Sequence, residues 1–458
     1  MSATAGEREV PRAQPRPTLT LADAMAMIVG IVVGAGIFRA PSIVAGNVAS
    51  ETAFLLLWLA GGLVSLIGAL CYAELGSAFP SAGGEYYFLR RAFGGWLAFL
   101  FAWARMSVVQ TGAIAAIGFA FGDYASQVWP LGAHSSAWYA GGAVVAITAL
   151  NVSGTTQGKW LQNLLTAALA IGMMTVVVAG AAKPAAATVA AAAPSSTPLF
   201  SGLAIIFVML TYGGWNEAAY LTAEIRDARR NVVRALVGGL LVVTLLYILM
   251  NFAYVRVLGL EGMRQSKAVA ADLMRAAFSD TGAVVLSLIV IAATLSTLNA
   301  TVFTGARTNY AVGRDYRLFR WLGYWTPGAN APVNALLWQG AITLALVYFA
   351  SSTKDGFETL VAYTAPAFWL FFLLTAVSLF VLRRQPPANP APFRVPLYPL
   401  TPLIFCGMCG YMLWKSLEYA MSIDSGSIGA RLGIAVLLAG VPLMFYAERG
   451  KSAKGTDR

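Results

Sequence analysis

Charge is scarce in this sequence. Only 11% of the 458 residues are Asp, Glu, Lys or Arg, where a soluble globular domain carries about a quarter. That shortage excludes an ordinary water-soluble fold. Histidine occurs once and cysteine three times. His134 is expected in a short external loop, where it reads as a solvated side chain rather than a proton relay. Cys71, Cys406 and Cys409 all fall in apolar runs, which argues against an extracellular disulfide. The C-G-M-C spacing of Cys406 and Cys409 resembles a metal or redox pair, but no histidine or acid accompanies it. No metal site or cofactor is therefore expected. No G-x-x-x-x-G-K-[ST] loop occurs, so nucleotide-driven transport machinery is missing too. No polar stretch is long enough to form a basic domain, which removes nucleic acid as a reading of the net charge of +11.

What remains is apolar. Hydrophobic residues make up 58% of the chain and its mean hydropathy is +0.69. A helix needs about 20 mostly apolar residues to cross a bilayer, and about twelve such windows recur. They lie near 21–46, 52–79, 94–121, 137–152, 160–182, 199–221, 233–258, 281–306, 334–351, 357–382, 397–421 and 428–447. The fold class is thus an all-α integral membrane protein of twelve transmembrane helices, with the lipid bilayer as its surroundings. Residues 1–20 and 448–458 form polar tails, both expected on the cytoplasmic side of a cell inner membrane. Alternating the spans from there puts roughly 21 of the 31 Lys and Arg inside, as the positive-inside rule requires. Most of the net charge is topology. Trp96, Trp129, Trp138 and Trp414 sit near span ends, where aromatic belts form. The alanine- and proline-rich stretch 181–198 reads as an external linker.

The first span contains G-I-V-V-G-A-G-I-F-R-A-P, residues 30–41. Gly30 and Gly34 form a G-x-x-x-G pair, which in lipid usually marks close helix packing. Gly36 and Pro41 follow, however, and make unbroken helical hydrogen bonding costly. Bare backbone at bilayer depth is tolerated only where it is buried in protein or lines a cavity. A counterpart appears in the sixth span, where Gly213, Gly214, Trp215 and Asn216 interrupt an apolar run. Spans one and six each open a group of five, as a five-plus-five inverted repeat requires. The groups are 21–182 and 199–382, with 383–447 supplying two more helices. Free N–H groups near Ala35, Gly36 and Ile37 suit a carboxylate, because a helix N-terminus favours an anion. Unpartnered carbonyls at Ile28 to Val32 and at Leu210 to Tyr212 suit an ammonium group. An α-amino acid presents both.

At these residues the chain resembles the amino acid–polyamine–organocation superfamily, and within it the L-type amino acid transporters and their bacterial relatives. G-A-G-I-F at 34–38 is similar to the family's G-S-G-I-F, and Y-G-G-W-N at 212–216 with T-A-E-I-R-D-A-R-R-N at 222–231 resembles its sixth helix and following loop. E-L-G-S-A-F-P-S-A-G-G-E-Y-Y at 74–87, Trp103, and L-N-A-T-V-F-T-G-A-R at 298–307 add to the likeness. The resemblance implies a LeuT-type fold with helices 1 and 6 broken, working by alternating access without enzymatic activity. It implies substrate contacts at Val33, Gly34, Ala35, Gly36 and Ile37, and at Leu210, Tyr212, Gly213, Gly214 and Asn216.

Three positions depart from the family pattern. Leu169 stands where many members carry a lysine, Leu210 where human L-type members carry a gating phenylalanine, and Glu217 where the residue is usually uncharged. Glu217, with Leu169, Thr294, Ser296 and Thr297, marks the candidate coupling or ion site. Glu217 serves either as a proton-coupling group or as a helix-dipole partner, and the helix 8 hydroxyls either bind an ion or bond back to their own helix. Arg39 is expected to line an outer vestibule or to snorkel to the interface, and Arg105 to pair with an acid from another helix. The expected function is exchange of L-amino acids, neutral ones first. Symport with protons or sodium, transport of cationic amino acids or polyamines, and sensing without transport are the alternatives. The oligomeric state is left open.

Overall fold

A computed structural model describes residues 20–81, 83–153, 159–182, 201–217, 225–386, 393–423 and 426–452. Residues 1–19 and 453–458 and most of the 181–198 linker lie outside the described residues. Within them the chain is helical throughout, with no β-strand and one isolated bridge between Thr326 and Ala331. The first apolar window forms two helices, α1 (Leu21–Val32) and α2 (Gly36–Gly46), bent by 47° at their junction. Then follow α3 (Glu51–Ala78), α4 (Gly84–Phe93), α5 (Gly95–Ala104), α6 (Gln110–Val128), α7 (Ser135–Val152), α8 (Lys159–Ala182) and α9 (Gly202–Thr211). The remainder comprises α10 (Ala228–Gln265), α11 (Val269–Asp315), α12 (Val333–Ser351), α13 (Gly356–Leu382), α14 (Leu400–Met421) and α15 (Ser427–Ser452).

Among the described residues seven stretches are long and apolar enough to cross a membrane, and the bent α1–α2 pair makes an eighth. The chain is a multi-pass membrane protein. Trp96, Trp129, Trp138 and Trp414 are all exposed, as interfacial aromatics should be. Cys71, Cys406 and Cys409 are free thiols within α3 and α14, and His134 is exposed just before α7.

Local chemistry sets the helix starts. Thr20 and Asp23 form a reciprocal capping box on α1, and Ser50, Ser201 and Asp355 cap α3, α9 and α13 with their side chains. Pro41 lies inside α2 without ending it; the interruption falls earlier, at Val33–Ala35. Between α5 and α6 the helix widens into one π turn, Arg105–Val109, which carries a charged side chain into the interior. α3 packs along α10, α6 against α7 and α11, and α13 against α6, α14 and α15.

Close approach in this bundle depends on small residues, since lipid supplies no hydrophobic drive between helices. On α15, Gly429 and Gly433 face backbone carbonyls of Thr359 and Tyr363 on α13, where an added Cβ would sit 2.1 Å and 2.0 Å from oxygen. Gly30 and Gly34 are different. A Cβ on Gly30 would meet nothing within 4 Å and one on Gly34 only the Val32 carbonyl, so the G-x-x-x-G packing expected of this pair is not realised. Their glycines serve the break instead. Gly433→Leu should force α15 off α13 and lower stability by about 1–3 kcal/mol, read as a fall in melting temperature of the purified protein.

Candidate functional site

The site follows from what the two interruptions do to backbone hydrogen bonds. After Val33 N–H bonds to the Val29 carbonyl, Gly34 N–H turns back to Val32, and the carbonyls of Gly30 and Ile31 accept no backbone N–H among the described residues. On the other side of the gap, the N–H groups of Ala35, Gly36 and Ile37 make no backbone hydrogen bond either, and Phe38 N–H reaches only Ala35. Four carbonyls, those of Gly30, Ile31, Val33 and Gly34, and three N–H groups thus lack a backbone partner at one gap.

The second interruption lies beside it. α9 ends at Thr211, and a short 3-10 turn, Trp215–Glu217, follows. Gly214 adopts φ +105°, a left-handed conformation that favours glycine, and its Cα faces the Ile31 carbonyl so closely that a Cβ would stand 3.1 Å away. Gly36 meets Thr211 in the same fashion, with a Cβ placed 3.1 Å from the Thr211 methyl. The glycines let the two breaks touch.

A cavity of about 580 Å³ opens from the α1 side of this contact. Gly30, Ile31, Gly214, Asn216 and Glu217 line it together with Arg105, Glu85 and Thr297 and with Phe101, Phe368, Phe371 and Phe372. No residue of α2 reaches it. Arg105, lifted inward by the π turn, donates Nη2–H bonds to Glu217 at 3.0 Å and 3.2 Å, and its Nη1 lies 3.8 Å from Glu85. Glu85 also accepts from the Tyr72 hydroxyl at 2.6 Å and from Asn216 Nδ2 at 3.4 Å. Two carboxylates therefore share one guanidinium at the cavity wall. The Glu217 side chain is 37% exposed there while Glu85 is buried.

Beyond the break the α2 side is shut. Arg39 is 2% exposed and ion-paired to Asp123 of α6 at 2.8 Å and to Asp355, the cap of α13. Its Nη1 also donates to Ser42, and Ser136 donates to Asp123. Tyr124 ties in the start of α11: its hydroxyl donates to the Phe38 carbonyl and accepts from Ala270 N–H. Arg39 neither lines an open vestibule nor reaches an interface, because two carboxylates from other helices hold it inside.

The sequence expectations divide accordingly. Val33, Ala35, Ile37, Tyr212 and Asn216 are buried around the gap, and Leu210 lies one residue before the end of α9. Tyr212 is turned away from the cavity, packing its ring on Trp58 and Tyr247 at 6.1 Å and 5.0 Å. Not all carbonyls expected to be bare are so. Leu210 accepts from Gly213 N–H, and Val32 and Thr211 both accept from the Tyr247 hydroxyl, at 2.9 Å and 3.2 Å. Nothing in the local sequence announced this tyrosine, which lies on α10. Leu169 is buried in the apolar core, where its helix α8 packs on α11. Thr294 and Thr297 donate to carbonyls of their own helix, and Ser296 is buried nearby. Trp103 donates to the Val436 carbonyl and stacks on Phe319, which makes it a packing residue.

Comparison with known proteins agrees with this geometry. The chain is 32% identical over 391 residues to mouse b(0,+)-type amino acid transporter 1, covering 82% of this chain and 78% of the relative. It is 27% identical over 436 residues to the serine/threonine exchanger SteT of Bacillus subtilis, covering 94% and 96%, and 29% identical over 439 residues to mouse large neutral amino acids transporter small subunit 2, covering 93% and 80%. The amino acid permease family model matches residues 19–437. With a broken helix pair opening on a polar-walled cavity and a family match along nearly its whole length, this chain belongs to the amino acid permease family, the L-type-like branch of the amino acid–polyamine–organocation superfamily, and is a membrane transporter of amino acids.

Proposed function

We propose that the protein exchanges L-amino acids, neutral ones in the first place, by alternating access around the gap between α1 and α2. The observation that carries this reading is the set of unpaired backbone groups at the break: three N–H donors from Ala35 to Ile37, and carbonyl acceptors at Gly30 and Ile31, whose residues line the cavity. The donors sit at the positive end of α2 and receive the substrate carboxylate. The acceptors sit at the negative end of α1 and receive its ammonium. Main-chain atoms thus read the part every α-amino acid shares, while the side chain projects toward Asn216, Glu217 and the phenylalanines.

The same reading orders the fold. α1–α8 and the five spans that begin at α9 form two inverted repeats of a LeuT-type bundle, α14 and α15 complete twelve spans, and the termini lie in the cytoplasm. The cavity then faces inward. Arg39, Asp123 and Asp355 form the closed outer side. Neutral substrates are supported by two of the relatives, named as a serine/threonine exchanger and as a large neutral amino acids transporter. Gly36 leaves the site little room, since α9 already contacts it.

A second reading rests on Glu217. Its pairing with Arg105 at the cavity wall, where Glu85 leaves one carboxylate more than guanidinium, places a proton acceptor beside the substrate path. Exchange and proton coupling give different results in proteoliposomes. Uptake of a labelled neutral L-amino acid should require the unlabelled one inside and ignore imposed proton and sodium gradients, in the parent and in Glu217→Gln alike. Accumulation driven by a proton gradient and lost in Glu217→Gln would establish the coupled mechanism instead.

Two substitutions test the site. Gly36→Val places a branched side chain against Thr211 and across the N–H cradle, so binding should vanish, seen as loss of the ligand-induced rise in melting temperature while the protein still folds. Asp355→Asn leaves Arg39 with one carboxylate and loosens the outer side. A cysteine replacing Phe357, which lies beneath Arg39, should then react faster with an impermeant thiol reagent added from outside; an unchanged rate would remove the ion cluster from the gate.

A further inference from the structure

Beyond the cavity α11 runs on into a 3-10 segment, Arg317–Gly323, that precedes α12. With three residues per turn, positions i and i+3 stand one above the other, so such a segment presents three faces. Here each carries a different chemistry. Phe319 and Leu322 are buried, and Phe319 stacks on Phe99 and Trp103 of α5, at 6.1 Å from each. Arg317 and Arg320 form the second face, and both are exposed. Leu318 and Trp321 form the third, which Tyr324 continues; Trp321 and Tyr324 are 47% and 58% exposed.

Neighbouring helices hold the segment in place. The Trp321 carbonyl accepts from Asn334 Nδ2 at 2.8 Å, and the Trp321 ring meets Trp338 of α12 edge-on at 5.3 Å. At the start of the segment the Tyr86 hydroxyl joins α4 to α11, bonding Asp315 and Tyr316 at 3.2 Å each. Arg90 follows Tyr86 by one turn of α4, on the same side of that helix, and is exposed. The stretch 305–325 holds four arginines and a single acid, Asp315. Among the described residues Arg90, Arg314, Arg317 and Arg320 make no ion pair. Guanidinium groups gathered in this way repel one another until an anion joins them.

The two exposed faces together select the anion. A soluble anion would meet the arginines but leave Trp321 and Tyr324 in water. A zwitterionic lipid would cover the aromatic rings but bring no net charge to the arginines. An anionic phospholipid satisfies both, because tryptophan and tyrosine favour the headgroup layer and a guanidinium grips a phosphate through two parallel hydrogen bonds. We propose that Arg317–Gly323 is a binding site for an anionic phospholipid, with Arg317 and Arg320 on its headgroup phosphate and Trp321 against the upper part of its acyl chains. The place in the fold agrees, since α11 is one of the membrane-crossing helices and the segment begins two residues after its end. Through Phe319, Asn334 and Tyr86 a lipid held there would tie α5, α12 and α4 to one depth in the bilayer. The site is separate from the gap between α1 and α2 and stands whether or not an amino acid binds there.

The test uses the full-length protein, purified in detergent and washed free of lipid. Dioleoyl phosphatidylglycerol, dioleoyl phosphatidylcholine and inorganic phosphate are each titrated, with affinity read from the rise in melting temperature. Phosphatidylglycerol should stabilise the parent, and more weakly as salt is raised, whereas phosphatidylcholine and inorganic phosphate should not. An arginine near an anionic lipid surface is worth about fivefold in affinity, so Arg317→Gln/Arg320→Gln should weaken phosphatidylglycerol binding about thirtyfold. Arg230→Gln/Arg384→Gln removes the same charge from two other exposed arginines and should bind like the parent. A merely structural role would lower the melting temperature of Arg317→Gln/Arg320→Gln without lipid and leave its lipid affinity alone. Equal affinity of the parent for the two lipids overturns the proposal, as does parental affinity in the Arg317→Gln/Arg320→Gln variant or an equal loss in the Arg230→Gln/Arg384→Gln control. Stabilisation by inorganic phosphate as strong as that by phosphatidylglycerol would make the site one for a soluble anion and refute the lipid. Should the double variant not fold, Arg320→Gln alone decides: a loss of about fivefold supports the site and parental affinity refutes it.

Discussion

Hydrogen bonding that a membrane helix cannot complete is the constraint from which this molecule is built. In hydrocarbon every main-chain polar group must find a partner within the protein, so an interrupted helix survives only where something else satisfies it. Here the interruption in the first span leaves seven main-chain groups without a backbone partner, four carbonyls from Gly30 to Gly34 and three N–H groups from Ala35 to Ile37. The second interruption is brought against the first by Gly36 and Gly214, the two positions where a side chain would separate them. Tyr247 then takes two of the remaining carbonyls. What is left over is the site.

Charge is organised around the same point. On each side of the breaks lies one arginine with two carboxylates: Arg39 with Asp123 and Asp355 beyond α2, and Arg105 with Glu85 and Glu217 below α1. The continuous stretch α5–α6 contributes to both, through Asp123 at one end and Arg105 in its π turn at the other. Pairing is obligatory at such depth, because removing one partner of a buried pair strands a charge at a cost of about 3–5 kcal/mol. The Arg39 cluster is sealed in protein and the Arg105 cluster faces the cavity.

The helices were readable from the sequence because composition alone enforces them: a run of some twenty apolar residues has few alternatives in a bilayer. The break was readable for the opposite reason, since Gly34, Gly36 and Pro41 together oppose an intact helix. Its position followed the glycines rather than the proline, which α2 absorbs within its length. Partners were not readable. Glu85 and Glu217 lie on separate segments and meet Arg105 at the start of a π turn, and nothing in R-M-S-V-V distinguishes that turn from ordinary helix. Tyr247 likewise sits in an apolar window like any other interfacial or core tyrosine. The G-x-x-x-G of Gly30 and Gly34 was resolved only by its neighbours Gly36 and Pro41, because the motif records small residues without recording whether they serve packing or flexibility. Gly429 and Gly433, equally spaced, serve packing.

The bare backbone also bears on why exchange, rather than free movement of an empty carrier, suits this site. To pass between its two open forms the protein must close around the gap, and closure takes the three N–H groups and the carbonyls of Gly30 and Ile31 away from water. Each buried polar group left without a partner costs about 1–3 kcal/mol. The empty carrier therefore meets a barrier of several such increments, and every 1.4 kcal/mol slows the crossing about tenfold. In the proposed site a bound zwitterion removes that barrier from both sides at once, its carboxylate meeting the donors at the positive end of α2 and its ammonium the acceptors at the negative end of α1. Loading and crossing become the same electrostatic event.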